Sequence, residues 1–543
     1  MASLLETARQ WAEHDPDPST RAEVETLVAA RDEEALKPLF AGPLEFGTAG
    51  LRGRIGPGES QMNRAVVIRT TAGLVNVLKK YVDVPKVVIG CDARYGSADF
   101  HNDVADVVAA AGGHALVLPP QNPTPLTAFT VRELGADAGV MVTASHNPPQ
   151  DNGYKVYLGG RVVTGDGEGV QIVPPFDADI AAAIAAAPAA DEIPRDTASA
   201  TGVVERVDTR EQYLARIKKR AASGPRELAI TLTPMHGVGS DLAVKALQAA
   251  GFTDVKLVAE QAQPDPDFPT VAFPNPEEPG ALDLAFAAAG EAQSDIILAL
   301  DPDADRCAVA IPAENGWRQL TGDETGALLG DYLAREGGVL ANSVVSSRFL
   351  GRIAEARGAQ WKTTLTGFKW IARTPGLSFG YEEAIGYCCD PEAVADKDGI
   401  SAAVTVACAA AELKSAGKNL QDRLDELANE LGTYKTKPLT FRFDDITRIA
   451  PVLQEVLQTP PAYLAGSPVT SASDMSKGYQ GLGSTPGLVL ETEANDRVII
   501  RPSGTEPKLK CYLEVVSEGG VDWESADERL EQISAELTQR LGM

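Results

Sequence analysis

Short β-branched runs that end in Gly, Pro, Asn or Asp alternate with longer Ala- and Leu-rich stretches of helical period along most of the chain. A strand apolar on both faces, followed by a helix long enough to cross back over it, is the unit of layers built on largely parallel sheets. Three such blocks follow one another. The first holds KVVIG (86–90), HALVLP (114–119) and AGVMVTAS (138–145), preceded by the Gly-rich FGTAGLRGRIGPG, and ends in a loose Pro- and Ala-rich region from about Val173 to Thr201. The second runs from the helical REQYLARIKKR through LAITLTPMHGVGS and VKLVAE to SDIILALDPDADRCAVAIP (294–312). The third opens near Asn315 and contains a helix through TGDETGALLGDYLA, the strand SVVSS, then TTLTGFKWIA and a helix from near Asp398. These layouts suggest one supersecondary design used three times. After Thr433 the pattern changes to LTFRF, a helix, then GLVLETE, RVIIRPS and KCYLEVVS between short turns, with a last helix from Ser525. The sequence therefore predicts three similar α/β domains with mixed, mostly parallel sheets over 1–208, 209–313 and 314–432, and an α+β C-terminal domain over 433–543.

Charge and cysteine usage exclude several function classes. With 76 acidic against 49 basic residues in 543, the formal net charge is -27, and the field of the whole molecule repels polyanions. Nucleic acid is not expected as a partner on this ground. A small anionic substrate remains compatible, because a few Arg and Lys side chains dominate a local site within a Debye length of about 8 Å. The six cysteines (Cys91, Cys307, Cys388, Cys389, Cys408 and Cys511) form no CxxC pair, which fits reduced thiols in a cytoplasm. The N-terminal segment has no apolar h-region, and the most apolar tract, Ile180 to Ala190, is short and broken by Pro188. The expectation is a soluble, cytoplasmic protein without a membrane partner.

Five segments carry groups suited to chemistry. Thr143-Ala144-Ser145-His146-Asn147-Pro148-Pro149 follows an apolar run, so Ser145 is expected just past the carboxyl end of a strand, where α/β sheets bind ligands. A serine nucleophile needs activation, and His146 and Lys155 are the local candidates. No GxSxG elbow accompanies it, against a serine hydrolase. Asp301-Pro302-Asp303-Ala304-Asp305-Arg306 follows the strand IILAL and spaces three carboxylates so that extended backbone would point them one way. Three hard oxygens at this spacing suit Mg²⁺. Arg501-Pro502-Ser503-Gly504-Thr505-Glu506-Pro507-Lys508 supplies the donors that a phosphate dianion takes. Gly47-Thr48-Ala49-Gly50-Leu51-Arg52-Gly53 is a similar Gly-rich segment. Tyr381-Glu382-Glu383-Ala384-Ile385-Gly386-Tyr387 pairs carboxylates that can accept from vicinal sugar hydroxyls, and the following Asp396-Lys397-Asp398-Gly399 either adds a cation or caps a helix.

In this order, GTAGLRG, TASHNPPQDNGYKVY, DPDADR, TLTGFKW, GYEEAIGY and RPSGTEPKLK resemble the α-D-phosphohexomutase superfamily in its phosphoglucomutase/phosphomannomutase branch, over about Phe46 to Val516. The resemblance implies four domains around a central cleft, each contributing one loop. It implies that Ser145 is a phosphoserine, that Asp301, Asp303 and Asp305 bind Mg²⁺ with Ser145 as a further ligand, and that Arg306 neighbours the phosphoryl group. Arg52, Lys155 and His146 fall on positions tied to proton transfer and charge stabilisation. Glu382, with Glu383 beside it, matches the acceptor of sugar hydroxyls. Arg501, Ser503, Gly504 and Thr505 match the loop gripping the phosphate that is not transferred, and Lys369 and Lys397 line the same cleft. Pro302 and Ala304 stand where many relatives have glycine, and Ala384 where many have serine. The altered GYEEAIGY loop resembles a subgroup with phosphopentomutase-like and bisphosphate-synthase-like members.

The implied activity is that of an isomerase interconverting hexose 1-phosphate and hexose 6-phosphate of glucose or mannose through a sugar 1,6-bisphosphate. Its alternatives are a phosphopentomutase or sugar-bisphosphate synthase, a phosphatase with Asp301 as nucleophile, and a non-catalytic phosphosugar-binding regulator. The partner is a small phosphosugar, and the chain is expected to act as a monomer or homodimer, its C-terminal domain closing over the sugar to exclude water.

Overall fold

The computed structural model describes residues 3–46, 50–198, 200–221, 223–444, 446–502 and 508–541. Ser503, Gly504 and Thr505 of the phosphate loop and Gly47 to Ala49 of the Gly-rich segment lie outside the described residues. The chain forms two compact units, Met1–Leu320 with Gly386–Glu412, and Thr321–Ile385 with Leu413–Met543.

The first unit contains two sheets built on the same plan. In one, Lys86–Cys91 is central and runs parallel to His114–Val117 on one side and Ala138–Val142 on the other, and Asp151–Leu158 continues antiparallel beyond Ala138–Val142. In the other, Ile230–Thr233 is central between Val255–Leu257 and Ile296–Leu300, and Cys307–Ala313 continues antiparallel. Strand order is therefore second, first, third, then an antiparallel fourth. The residues of Ala138–Val142 and Ile296–Leu300 are all buried, the pattern expected of strands covered on both faces. Val87, Ile89, Val140 and Val142 pack against Leu74 and Val77 of helix Arg64–Leu78 and Val104 and Val108 of helix Ser97–Ala110. Each such side chain contributes about 1.5–3 kcal/mol by leaving water.

In the second unit, Val339–Ser343 lies parallel between Gln360–Thr364 and Leu377–Glu382, so first, second and third strands again take the same places. Its other sheet is antiparallel, in the order Thr433–Arg442, Lys508–Ser517, Arg497–Pro502, Leu488–Thr492, Ser467–Asp474. The loops carrying Ser145, Asp301 and Glu383 each leave the third strand of their sheet. One topology thus delivers three motifs to the carboxyl ends of equivalent strands.

Two local expectations are corrected. The region from Val173 to Thr201 is not loose throughout: Phe176–Ala185 is a helix that buries Ile180 and lies close enough to Gly73 that a Cβ there would meet Ile184 Cγ1 at 2.6 Å. The strand expected at SVVSS ends at Ser343, because Ser346 N–H turns back to Ser343 O at 3.0 Å and Asn342 Nδ2 donates to Ser347 O at 2.7 Å. Asp151–Leu158, on which no strand was expected or excluded, is a nearly fully buried strand paired with Ala138–Val142 on one edge and Leu51–Arg54 on the other. No single helix among the described residues is long and apolar enough to cross a membrane, and all six cysteines are buried free thiols.

Candidate active site

Ser145 lies three residues past the strand Ala138–Val142 in a left-handed backbone conformation, φ 51°. A side chain there costs on the order of 1–3 kcal/mol unless its surroundings hold it. Its N–H donates to Thr143 Oγ1 at 2.8 Å, and its Oγ donates to Asp301 Oδ2 at 2.6 Å. His146 Nδ1 lies 3.2 Å from Ser145 Oγ. Burial, and then the charges of Arg306 and Arg52, push the His146 pKa well below its usual value, so the ring is neutral near pH 7. Arg52, on the strand Leu51–Arg54, donates from Nη1 to Asn147 Oδ1 at 3.0 Å.

The DPDADR segment is a turn rather than the extended backbone expected. Ala304 N–H donates to Asp301 O at 2.9 Å, and Ala304 itself takes φ 57°. The carboxylates converge because the turn wraps around them, leaving one oxygen from each of Asp301, Asp303 and Asp305 within 4.8 Å of the others. All three residues are buried. Neighbouring backbone leaves the turn little room. A Cβ on Gly237 would meet Pro302 Cα at 2.4 Å, and one on Gly399 would meet Arg306 O at 2.3 Å.

Lys155, central in Asp151–Leu158, donates from Nζ to Asp303 Oδ2 at 2.7 Å and Asp305 Oδ2 at 2.8 Å. Lys397 Nζ lies 3.5 Å from Asp305 Oδ2, and Arg306 Nε lies 3.7 Å from Asp305 Oδ1. Charges this close split the titrations of the carboxyls. Burial and the neighbouring Asp303 and Asp305 drive the Asp301 pKa well above the carboxylate range. Burial also opposes ionisation of Asp303, but the Lys155 ammonium outweighs it and holds that carboxyl low. At Asp305, burial and Asp303 are overcome by Lys155, Lys397 and Arg306. For Lys155, the penalty of burial is overcome by Asp303 and Asp305, so it stays charged.

The donor set fits a divalent cation. Asp303 Oδ1 and Asp305 Oδ1 are buried and have no hydrogen-bond partner among the described residues, a costly arrangement for a carboxylate unless a cation is bound there. Thr124, at the start of helix Thr124–Glu133, donates its N–H to Asp303 O at 2.9 Å and its Oγ1 to Asp303 Oδ2 at 2.7 Å. Partners that orient a ligating carboxylate typically matter roughly 10–100-fold in metal affinity. Thr124→Val is expected to raise the Mg²⁺ concentration for half-maximal activity by about that factor; an unchanged Mg²⁺ titration would show the brace to be idle.

Asp398 answers the open question about 396–399: its carboxylate accepts from Ile400 N–H and Ser401 N–H, both at 3.0 Å, and caps helix Gly399–Ser415, whereas Lys397 supplies the cation.

The second unit holds the other predicted residues. Glu382 ends the strand Leu377–Glu382 and is partly exposed. Glu383 is held by Ser346 Oγ at 2.8 Å and Ser343 Oγ at 3.2 Å, which both donate to its Oε2. Burial, and then Asp323, raise its pKa. Arg501, near the end of Arg497–Pro502, donates to Thr366 Oγ1 and, at 3.2 Å, to Thr485 Oγ1. Its guanidinium thereby touches the loop that leads into helix Phe368–Ile371, where Lys369 is buried with Nζ 5.5 Å from the Trp370 ring centroid. The predicted residues therefore divide: Arg52, Ser145, His146, Lys155, Asp301, Asp303, Asp305, Arg306 and Lys397 gather in the first unit, and Lys369, Glu382, Glu383 and Arg501 belong to the second.

Sequence reading passed over Thr124, Ser346 and Arg94. Arg94 donates to four carbonyls of the Ser145 loop. Its position just past the strand Lys86–Cys91, at the same sheet edge as Ser145, was the available signal.

Comparison with known proteins agrees with this arrangement. Sequence models described as phosphoglucomutase/phosphomannomutase alpha/beta/alpha domains I, II and III match residues 43–190, 211–315 and 321–431, and that of the C-terminal domain matches 466–529. The chain is 44% identical over 460 residues to a Haemophilus influenzae protein named "Probable phosphomannomutase", covering 83% of this chain and 93% of that one. It is 34% identical over 574 aligned positions to the Homo sapiens phosphopentomutase, covering 96% and 92% of the two chains. The crystal structure of the Paramecium phosphoglucomutase pp63/parafusin shares the fold, with a TM-score of 0.72 at 17% identity over 92% of this chain and 95% of that one. With all four domains matched in order, the chain belongs to the phosphoglucomutase/phosphomannomutase family of the α-D-phosphohexomutase superfamily and is an isomerase of the phosphosugar mutase type.

Proposed function

We propose that the protein interconverts hexose 1-phosphate and hexose 6-phosphate, of glucose or mannose, through a phosphoryl group carried on Ser145 and a sugar 1,6-bisphosphate. The observation that carries this reading is Ser145 Oγ at 2.6 Å from Asp301 Oδ2, within a buried acidic triad that Lys155 also enters. In the first half-reaction the P–O bond to Ser145 breaks as a bond to a sugar hydroxyl oxygen forms and the hydroxyl proton passes to a base of the site; in the second, the other P–O bond of the bisphosphate breaks as the bond to Ser145 Oγ forms and the proton returns to the freed sugar oxygen. His146 and Lys155 flank this position, and the neutral His146 ring can take a proton. Asp301, Asp303 and Asp305, with the phosphoserine as a further ligand, would hold Mg²⁺, which would supply positive charge to offset that of the group in transit. Arg306, Arg52 and Lys397 add fixed positive charge there.

In the second unit, Arg501 grips the phosphate that is not transferred, together with Ser503, Gly504 and Thr505. Glu382 and Glu383 accept from sugar hydroxyls, and Lys369 adds a donor. A sugar that turns over between half-reactions presents a phosphate to this set in either orientation. The buried free thiols support a reducing, cytoplasmic setting, and the chain acts as a monomer or homodimer.

A second reading, transfer on a pentose phosphate, is favoured by the identity to phosphopentomutase along 96% of the chain. A coupled assay with glucose, mannose, ribose and deoxyribose 1-phosphates, Mg²⁺ and the matching bisphosphate decides. The hexose reading expects the highest kcat/KM on a hexose phosphate, and a pentose preference of tenfold or more in roughly the range one missing substrate contact can produce would overturn it.

A further inference from the structure

Arg94 has no part in the chemistry described above, yet it holds the loop on which that chemistry depends. It is 4% exposed and donates from Nη2 to the carbonyls of Ser145 (2.7 Å) and Asn147 (2.6 Å), and from Nη1 to those of Pro148 (2.7 Å) and Asp151 (3.1 Å). These four acceptors span the whole turn between the strands Ala138–Val142 and Asp151–Leu158. The guanidinium is itself fixed from two further sides. Its Nε lies 3.4 Å from Asp92 Oδ2, and its carbon sits 5.0 Å from the ring centroid of the buried Phe268. Asp92 is held in turn, since Ser97 Oγ donates to its Oδ1 at 2.6 Å and Arg94 N–H donates to the same oxygen at 3.0 Å.

We propose that Arg94 is a positioning residue for phosphoryl transfer: by gathering four carbonyls of residues 145–151 onto one planar cation, it holds the left-handed Ser145 so that Oγ meets the acidic triad. Only a guanidinium suits this task. Its donors lie in a rigid plane and reach separate carbonyls at once, whereas an ammonium is a point and a neutral amide has too few hydrogens. Arg94→Lys keeps a positive charge facing Asp92 while losing the planar fork, so it separates the geometric role of Arg94 from its charge. The displacement of a reacting atom by about 1 Å costs around 10²-fold in rate, which sets the expected size.

The inference rests on Ser145 being the residue that carries the phosphoryl group, and the test separates the two. Wild-type, Arg94→Gln and Arg94→Lys proteins are incubated with Mg²⁺ and glucose 1,6-bisphosphate. The rate at which phosphate appears on the Ser145 peptide is read by mass spectrometry, beside kcat, KM and melting temperature. Arg94→Gln is expected to lower both the phosphorylation rate and kcat by about 10²-fold with KM within roughly threefold, and Arg94→Lys to recover part of the loss. If Arg94→Gln fails to fold, Arg94→Lys, which keeps the charge facing Asp92, carries the comparison with an expected loss of about tenfold or more in kcat at nearly constant KM. Phosphorylation of a folded variant at the wild-type rate, or a loss confined to KM, overturns the role of Arg94. Absence of phosphate on wild-type Ser145 overturns instead the reading on which it rests.

Discussion

Ser145→Ala is expected to lose turnover by roughly 10³- to 10⁶-fold in kcat, the range seen when a covalent nucleophile is removed. The substitution deletes the oxygen proposed to carry the phosphoryl group and leaves the other side chains of the site in place. Asp301 Oδ2 loses the 2.6 Å donor from Ser145, while its Oδ1 keeps the Arg306 N–H at 3.0 Å. The stability cost is that of leaving one buried carboxylate oxygen without its donor, about 1–3 kcal/mol. A melting temperature within a few degrees of wild type shows that the loss is chemical. Mass spectrometry after incubation with glucose 1,6-bisphosphate should find phosphate on the Ser145 peptide of the wild type and none in the variant. Turnover surviving in Ser145→Ala, or acyl-phosphate on Asp301, would transfer the nucleophile to the carboxylate and point to a phosphatase.

Asp303→Asn should be nearly as damaging, for a different reason. The amide keeps an oxygen for Thr124 Oγ1, now 2.7 Å away, and keeps the volume of the turn. It removes a negative charge from the triad and one of the two carboxylates that Lys155 Nζ contacts, at 2.7 and 2.8 Å. The ammonium then keeps one carboxylate, Asp305, and a neutral amide oxygen in a buried setting, and the cation site loses one of its three carboxylates. Mg²⁺ affinity is expected to fall by about 10²-fold or more and kcat with it by roughly 10²- to 10³-fold, since electrostatic stabilisation of the transferring group depends on both. Calorimetric titration with Mg²⁺ and activity at increasing Mg²⁺ read the two separately. Treating the wild type with EDTA should reproduce the loss reversibly. A variant with unaltered Mg²⁺ affinity would remove Asp303 from the cation site.

What could be read before folding is what is local in the chain. The burial of Ile296–Leu300 shows in its unbroken apolar run, and the chemical character of DPDADR or RPSGTEPK shows in its composition, because each depends on residues that are neighbours in sequence. The alternation of strands and helices followed for the same reason. Where a segment's fate depended on what packs against it, local reading failed. Phe176–Ala185, read as part of a loose segment, is a helix packed close against Gly73, and DPDADR, read as extended, curled into a turn with Ala304 left-handed.

By itself, the sequence determined the class of layers, the kinds of group available and the family to which they belong. The tertiary structure alone decided which of those groups meet. Ser145 and Asp301 are 156 positions apart, and Lys155 and Asp303 148, yet each pair is in hydrogen-bond contact. Such contacts exist because one strand order, used repeatedly, brings equivalent loops to the carboxyl ends of their sheets, and strand order is a property of long-range packing that no short stretch of residues encodes.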